Sequence, residues 1–325
     1  MFEAEEEFFV LTKHGRVEAR LLHDRPRSRI WILPDGQYVK TVKHSQSVIK
    51  DPTSDPDLAG WLARSRRSWF YLKRHAHPGL LVVGDRVYDS FGDEGYLCQG
   101  LQVFALKHPD HPARKSLRAF LQCAIQLSRA VGVMHEAGFV HGDITPGNVC
   151  FHNGLPVLID YEMTVKVGQI VGPHPGDKHH RAISCTPECC SPEHVYRRQV
   201  QPSSDIFCIG LTLLSWLSER FGVGETYWHQ NKEQSMGLCA RAEYPHWEVV
   251  KTRLDQPLVI DVLARAIQHA PHERYVNGNH FADALEALFQ VLSPQELDHP
   301  LDAPLESVSP SAEYDNLTIF LELTP

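Results

Sequence analysis

Asp143, Asn148 and Asp160 are the residues of this chain whose types and spacing can do chemistry together. They fall in His141-Gly142-Asp143-Ile144-Thr145-Pro146-Gly147-Asn148 and Leu158-Ile159-Asp160-Tyr161. An aspartate, an asparagine five residues on and a second aspartate behind an apolar strand suit phosphoryl transfer. The first carboxylate can accept the proton of an attacking hydroxyl, while the amide oxygen and the second carboxylate can hold Mg²⁺ against nucleotide phosphates. Between them, Val149-Cys150-Phe151, His152-Asn153-Gly154 and Leu155–Ile159 predict a strand, a tight Asn-Gly turn and a second strand. Such a hairpin returns Asn148 and Asp160 to the same end, so that both metal-ligand candidates face one site.

These segments resemble the catalytic loop and metal motif of the protein-kinase superfamily, H-R-D-x-x-x-x-N and D-F-G, written here as His141-Gly142-Asp143…Asn148 and Asp160-Tyr161-Glu162. The H-G-D form also resembles small-molecule kinases of the aminoglycoside and choline phosphotransferase type. Later residues favour the protein-kinase branch. Thr186–Glu193 resembles the end of an activation segment, with Ser191-Pro192-Glu193 where A-P-E is expected. Ser204-Asp205-Ile206-Phe207-Cys208-Ile209-Gly210 resembles the D-x-[WFY]-x-x-G start of a large buried helix. Pro271-His272-Glu273-Arg274-Tyr275 is similar to the P-x-x-R-[YF] turn near the family's C-terminus. The resemblance implies an internal ion pair between Glu193 and Arg274.

The elements that must position these residues follow. The resemblance implies an α+β, bilobal fold: a small antiparallel N-lobe with one helix over 1–100, and a mainly helical C-lobe over 101–293. Residues 294–325 form an acidic tail. In the N-lobe, Val17–Leu22 reads as a strand. Arg29–Leu33 and Gln37–Val42 read as a hairpin about Pro34-Asp35-Gly36. Gln37-Tyr38-Val39-Lys40 resembles V-A-I-K, making Lys40 the expected phosphate anchor, with Lys43 a nearby competitor. Leu58, Trp61, Leu62, Ser65, Trp69 and Leu72 lie at helical spacing. Gly95–Leu101 has the strand-then-hinge character that would receive adenine, through backbone groups from Gln99 to Leu101. Leu117–Ala137 predicts an amphipathic helix leading into the catalytic loop, and Ile206–Leu217 a buried core helix too short to span a bilayer.

Several residues depart from the family pattern. The segment His23–Arg29, where a glycine-rich phosphate loop is expected, has no glycine. Its arginines Arg25, Arg27 and Arg29 fit either a side-chain phosphate clamp or a solvated basic turn. No acid occurs between Leu58 and Gly84, so the helix glutamate that pairs with the family's lysine is missing; Ser68 stands near its place, among Arg64, Arg66, Arg67, Lys73 and Arg74. Gly142 replaces the arginine that would receive a phosphate on the activation segment. Thr145 stands where a lysine is usual. Glu162 replaces the glycine after the metal aspartate, and either adds a carboxylate to the metal site or sits beside it.

Composition excludes other classes. Hydrophobic content is 42% and charged content 22%, ordinary for a globular protein. Eight cysteines, single or adjacent, suit reduced thiols better than a disulfide framework. His174, His179, His180, Cys185, Cys189 and Cys190 invite a zinc reading, but C-x₃-C-C matches none of the common patterns; small buried side chains are the expectation. Net charge is −8, and residues 294–325 hold seven acids, five prolines and no Lys or Arg. That tail is expected to lie against the body or extend from it, with Leu317–Leu323 apolar enough to dock. The acidic start, Met1–Glu7, is unlike a signal peptide, so a cytoplasmic location is expected. No basic-aromatic surface suggests nucleic acid.

The resemblance therefore implies an ATP- and Mg²⁺-dependent phosphotransferase, most simply a divergent Ser/Thr protein kinase acting on a protein hydroxyl. Asp143, Asn148 and Asp160 would be catalytic, Asn148 and Asp160 the metal ligands, and Lys40, Gln99 and Leu101 would complete the nucleotide site. The alternatives are a small-molecule kinase, favoured by His141-Gly142-Asp143, and a pseudokinase scaffold, favoured by the missing glycines and helix glutamate.

Overall fold

A computed structural model describes residues 8–25, 28–43, 58–169, 186–196, 198–224 and 232–301. Among them the chain forms two compact units, one within Met1–Ala76 and Leu80–Gly100, the other within His77–Gly79, Leu101–Gly172 and Arg181–Pro325.

Among the described residues the first unit is an antiparallel sheet with one helix. Its strands are β1 (Phe9–Thr12), β2 (Gly15–Glu18), β3 (Arg20–Asp24), β4 (Ser28–Ile32), β5 (Tyr38–Val42), β6 (Val83–Asp89) and β7 (Glu94–Cys98), in the order β2-β1-β6-β7-β5-β4-β3. Helix α1 spans Leu58–Arg74, as the apolar spacing predicts. The strand expected over Val17–Leu22 is in fact two, divided at Ala19: its amide still donates to Phe8 O in the β1–β2 register, and from Arg20 onward the chain pairs with β4 instead.

Strand alternation decides which face each side chain takes. Trp31 pairs with Val39 and Arg29 with Thr41, so these four share one face, where Val10, Ala19, Leu33 and Val87 join them in a core. Lys40, one residue out of phase, lies on the opposite face opposite Tyr96. Two residues along β7, Glu94 also takes the Lys40 face and binds Arg66 of α1 through two hydrogen bonds of 2.9 and 2.6 Å. The helix that lacks a glutamate thus grips the sheet with reversed polarity, an arginine on the helix and a carboxylate on the strand.

The arginine segment is corrected by the same alternation. Arg29 is buried, ion-paired with Asp93 and stacked over Phe91 at 4.0 Å, while Asp89 accepts from the Thr41 hydroxyl at 2.7 Å. Arg29 is therefore a structural ion of the core, not a phosphate clamp. Arg25 is exposed, its amide bonded to Ser28 O at 2.9 Å; Arg27 lies outside the described residues.

The second unit is mainly helical. It contains α2 (Leu117–Glu136), α3 (Pro192–Val195), α4 (Pro202–Ser218), α5 (Lys232–Arg241), α6 (Trp247–Leu254), α7 (Pro257–Ala266), α8 (Gly278–Val291) and α9 (Pro294–Leu297). Its short strands are β8 (Phe139–Val140), β9 (Val149–His152), β10 (Leu155–Leu158) and β11 (Val165–Lys166). Ser116 caps α2, accepting from the Ala119 amide. Every residue from Ser203 to Ser218 is buried, which explains why α4 is apolar on all sides rather than on one stripe. Helices α2 and α8 approach so closely that a Cβ on Gly278 would lie 2.3 Å from Ser128 O. The fold class is the one expected: α+β, an antiparallel sheet unit and a helical unit.

Arg274 is fully buried and meets Glu193 at 2.9 Å, the ion pair implied by the resemblance. The same nitrogen, Nη1, also donates to Ser203 O at 3.0 Å, while Nε and Nη2 donate to the carbonyls of Gln268 and His269 at 2.6 and 2.7 Å, so no nitrogen is left unsatisfied. The stretch after 293 begins docked: α9 packs on α2, His299 O accepts from the Leu117 amide, and Leu301 is buried. Leu317–Leu323 lies outside the described residues.

His111, only 1% exposed, sits among the rings of Phe104, Phe151 and Trp216. Burial, aided by the Arg114 and His108 charges, lowers its pKa from 6.5 to about 3. The unfolded chain then binds the extra proton between those values, so stability falls as pH drops through that window. Denaturant melts at pH 7 and pH 4 should show the parent losing about 3 kcal/mol more than His111→Leu. Equal losses would remove His111 as the cause.

Candidate active site

Asn153 and Gly154 have φ of 52° and 78°. Two successive positive φ values make the type I′ turn that matches strand twist, and Asn-Gly is the pair that tolerates it. The β9–β10 register, Val149 against Leu158 and Cys150 against Val157, follows from that turn. One step beyond, the Ile159 amide donates to Asn148 O at 2.9 Å, which sets Asn148 and Asp160 side by side. The expected strand–turn–strand device is what places the metal candidates.

The catalytic loop hangs from Asp205, near the start of α4. One carboxylate oxygen accepts from the His141 amide at 2.8 Å and from His135 Nε2 at 3.0 Å; the other accepts from the Gly142 amide at 3.0 Å. Burial alone would raise this carboxyl, but the His135 hydrogen bond, the two histidine charges and the Gly142 amide outweigh it and hold the group below its ordinary value. Gly142 itself has φ of 82°, a left-handed conformation that costs glycine nothing.

Asp143 lies at the centre. Asn148 Nδ2 donates to its main-chain oxygen at 2.8 Å and to Oδ2 at 3.1 Å. Because a carbonyl only accepts, the Asn148 nitrogen must face Asp143, and its amide oxygen is the atom available to a cation. The Thr186 hydroxyl donates to Asp143 Oδ1 at 2.8 Å, backed by the Thr186 amide at 3.3 Å. Burial pushes the Asp143 carboxyl above its ordinary value; the Thr186 hydrogen bond opposes the rise and the Asp160 charge adds to it. An aspartate raised in this way is a better proton acceptor than a solvated one.

Asp160 has φ of 64° and ψ of 68°, at the head of a 3₁₀ turn over Tyr161–Met163. His141 Nε2 lies 3.1 Å from Ile159 O, and the Tyr161 ring meets the His141 ring edge-on at 5.0 Å. Glu162 is buried in the same turn. The Asn148 amide oxygen and the Asp160 carboxylate are hard oxygen donors of the kind Mg²⁺ takes, so the residues present fit that ion.

A family model described as the protein kinase domain matches residues 97–287 of the chain. The chain belongs to the protein kinase family. It is similar to the serine/threonine-protein kinase PknA of Mycobacterium tuberculosis, 24% identical over 217 residues, covering 62% of this chain and 46% of that protein. It is similar also to the serine/threonine-protein kinase C of Synechocystis sp., 24% identical over 276 residues, covering 80% and 46% respectively. A third relative is the DNA damage-responsive serine/threonine-protein kinase RqkA of Deinococcus radiodurans, 27% identical over 207 residues, covering 61% and 29%. The chain spans about half the length, or less, of these curated relatives.

Of the expected site residues, Asp143, Asn148 and Asp160 come together in the helical unit, which also contains Leu101. Lys40 and Gln99 belong to the sheet unit. The competitor Lys43 bridges Asp24. The Gln99 amide donates to Val82 O at 3.1 Å, which limits Gln99 to its carbonyl in any contact with a base. Two residues were given no catalytic part by sequence reasoning: Thr186 and Asp205. Their only signal was position, Thr186 seven residues before Glu193 and Asp205 at the start of the apolar helix.

Of the cysteine cluster, Cys189 and Cys190 are buried, and burial pushes the Cys189 thiol well above its ordinary value. Among the described residues no group of three or more metal-binding side chains occurs. His174, His179, His180 and Cys185 lie outside them.

Thr186→Val removes the hydroxyl donor and keeps the volume. Turnover should fall about 10-fold, as a free Asp143 carboxylate leaves its aligned rotamer, while nucleotide affinity holds. An unchanged kcat would mean that Thr186 does not position the base.

Proposed function

We propose that the chain is an ATP- and Mg²⁺-dependent phosphotransferase whose acceptor is a serine or threonine hydroxyl of a protein. The observation that carries this reading is the Thr186–Asp143 hydrogen bond at 2.8 Å. It ties the proton acceptor to the segment Thr186–Glu193, which is itself clamped from below by Glu193–Arg274. A docking segment bonded to the base suits a peptide acceptor better than a small alcohol, and the Ser/Thr kinase relatives point the same way.

In this mechanism Asp143 takes the hydroxyl proton of the acceptor, with Thr186 and Asn148 holding the carboxylate in register. Asn148 and Asp160 would hold Mg²⁺. When bound, the ion neutralises and aligns the phosphate oxygens of ATP. By the family resemblance, Lys40 would anchor the α- and β-phosphates, and the Gln99–Leu101 backbone would receive adenine. Gly142 removes the usual phosphate receptor, so activity should not depend on activation-segment phosphorylation. No helix among the described residues is long and apolar enough to cross a membrane.

A second reading draws on one observation. The segment between β3 and β4 has no glycine, and the Arg25 amide is already bonded to Ser28 O. That favours a nucleotide-independent scaffold.

Incubation with labelled ATP, Mg²⁺ and protein acceptors separates the readings. Asp160→Asn should abolish the Mg²⁺-dependent part of nucleotide binding and all turnover. Asp143→Ala should keep nucleotide binding and lose roughly 10²-fold or more in transfer. Calorimetric affinity for Mg·ATP that is the same in Asp160→Asn and the parent, with no transfer by the parent, would establish the scaffold reading instead.

A further inference from the structure

Asp160 stands in a conformation that an L-residue other than glycine adopts rarely, with φ of 64° and ψ of 68°. Such a residue stays there only when its neighbours are held, and each neighbour here is held by a separate contact. The Leu158 amide donates to Gly79 O, and the Ile159 amide to Asn148 O, both at 2.9 Å. Ile159 O faces His141 Nε2 at 3.1 Å. On the far side, the Tyr161 hydroxyl reaches back over Asp160 and donates to Leu158 O at 2.9 Å, while the Thr164 amide takes Tyr161 O at 3.1 Å. Tyr161 is 2% exposed, so its hydroxyl works away from competing water.

Most of these ties use backbone groups or the histidine of the catalytic loop. The Tyr161 hydroxyl differs, because phenylalanine, which D-F-G carries at this place, has the ring and not the donor. The bond closes a loop of three residues around Asp160, from the carbonyl before Ile159 to the side chain after Asp160. It therefore acts on the backbone torsions that aim the Asp160 carboxylate.

We propose that the Tyr161 hydroxyl is a positioning group that latches the Asp160 turn, holding the carboxylate ready for the divalent cation. The proposal rests on the phosphotransferase reading, in which Asp160 is a Mg²⁺ ligand. The ring, packed on His141, fills the core; the hydroxyl sets the aim.

Tyr161→Phe keeps the ring and removes only the latch. Calorimetry with a non-hydrolysable ATP analogue, in Mg²⁺ and in EDTA, measures how much the cation tightens binding. The latch predicts that this gain falls roughly 3- to 10-fold in Tyr161→Phe, the factor of one net hydrogen bond, while affinity in EDTA is unchanged. Hydrogen exchange of the Asp160 and Tyr161 amides should quicken by a similar factor. An equal Mg²⁺ gain in parent and variant overturns the proposal, whether or not exchange quickens, since the hydroxyl would then be merely structural. A lost gain without faster exchange overturns it too, because the effect would not pass through the turn. A parent that gains nothing from Mg²⁺ overturns the phosphotransferase reading itself, and the metal role of Tyr161 with it.

Discussion

The catalytic loop is held by one buried carboxylate. Asp205 gathers the His141 amide, the Gly142 amide and the His135 imidazole, three donors from two segments, onto two oxygens. Hydrogen bonds to a charged acceptor contribute about 1.5–3 kcal/mol each, more than neutral ones. Because Asp205 sits on α4, the most buried helix of the unit, its position is fixed by packing before it binds the loop. The His141 ring then passes that position to Ile159, and so to Asp160, while the chain direction after Gly142 presents Asp143 to Asn148 and Thr186. Remove the carboxylate and two amides face an empty acceptor site in the core.

The sheet unit shows how a charged sequence can be divided by strand alternation. Arg29 and Lys40 lie on neighbouring strands and differ by one step of register; one becomes a core ion paired with Asp93, the other faces the opposite side with Tyr96. The missing glutamate of α1 is matched by Glu94, held by Arg66 and by Arg86 at 2.7 Å. Two arginines on one carboxylate depress its pKa despite burial, so this attachment is intact wherever the protein is folded near neutral pH. The ion pair that fastens helix to sheet has exchanged the sides on which its charges lie.

What was legible in the sequence was local. The Asn-Gly turn, the apolar run of α4 and the amphipathic spacing of α2 each act through neighbours within a few residues, so residue type alone predicts them. The pairing of Glu193 with Arg274 crosses 81 residues and was legible only through resemblance. Where a contact spans distant segments without a motif, the pattern is silent. Arg29 reads as part of a basic turn because Asp93 is 64 residues away. Thr186 reads as an ordinary threonine because its partner is 43 residues back. The strand over Val17–Leu22 failed for another reason: period two continues through Ala19, and period reports the face of a residue, not the strand it pairs with.

Asp205 holds the His141–Asn148 loop in place, and Asp205→Asn tests that most directly. The amide keeps the shape but turns an NH₂ donor towards groups that are themselves donors. Hydrogen exchange of the His141 and Gly142 amides, read beside those of α4 and beside phosphoryl transfer, is the decisive measurement. The account predicts that both loop amides lose at least about 10-fold in protection and that transfer is lost, while α4 stays protected, as expected for loss of one charge-assisted hydrogen bond or more. Loop amides as protected as in the parent, with transfer intact, would contradict it.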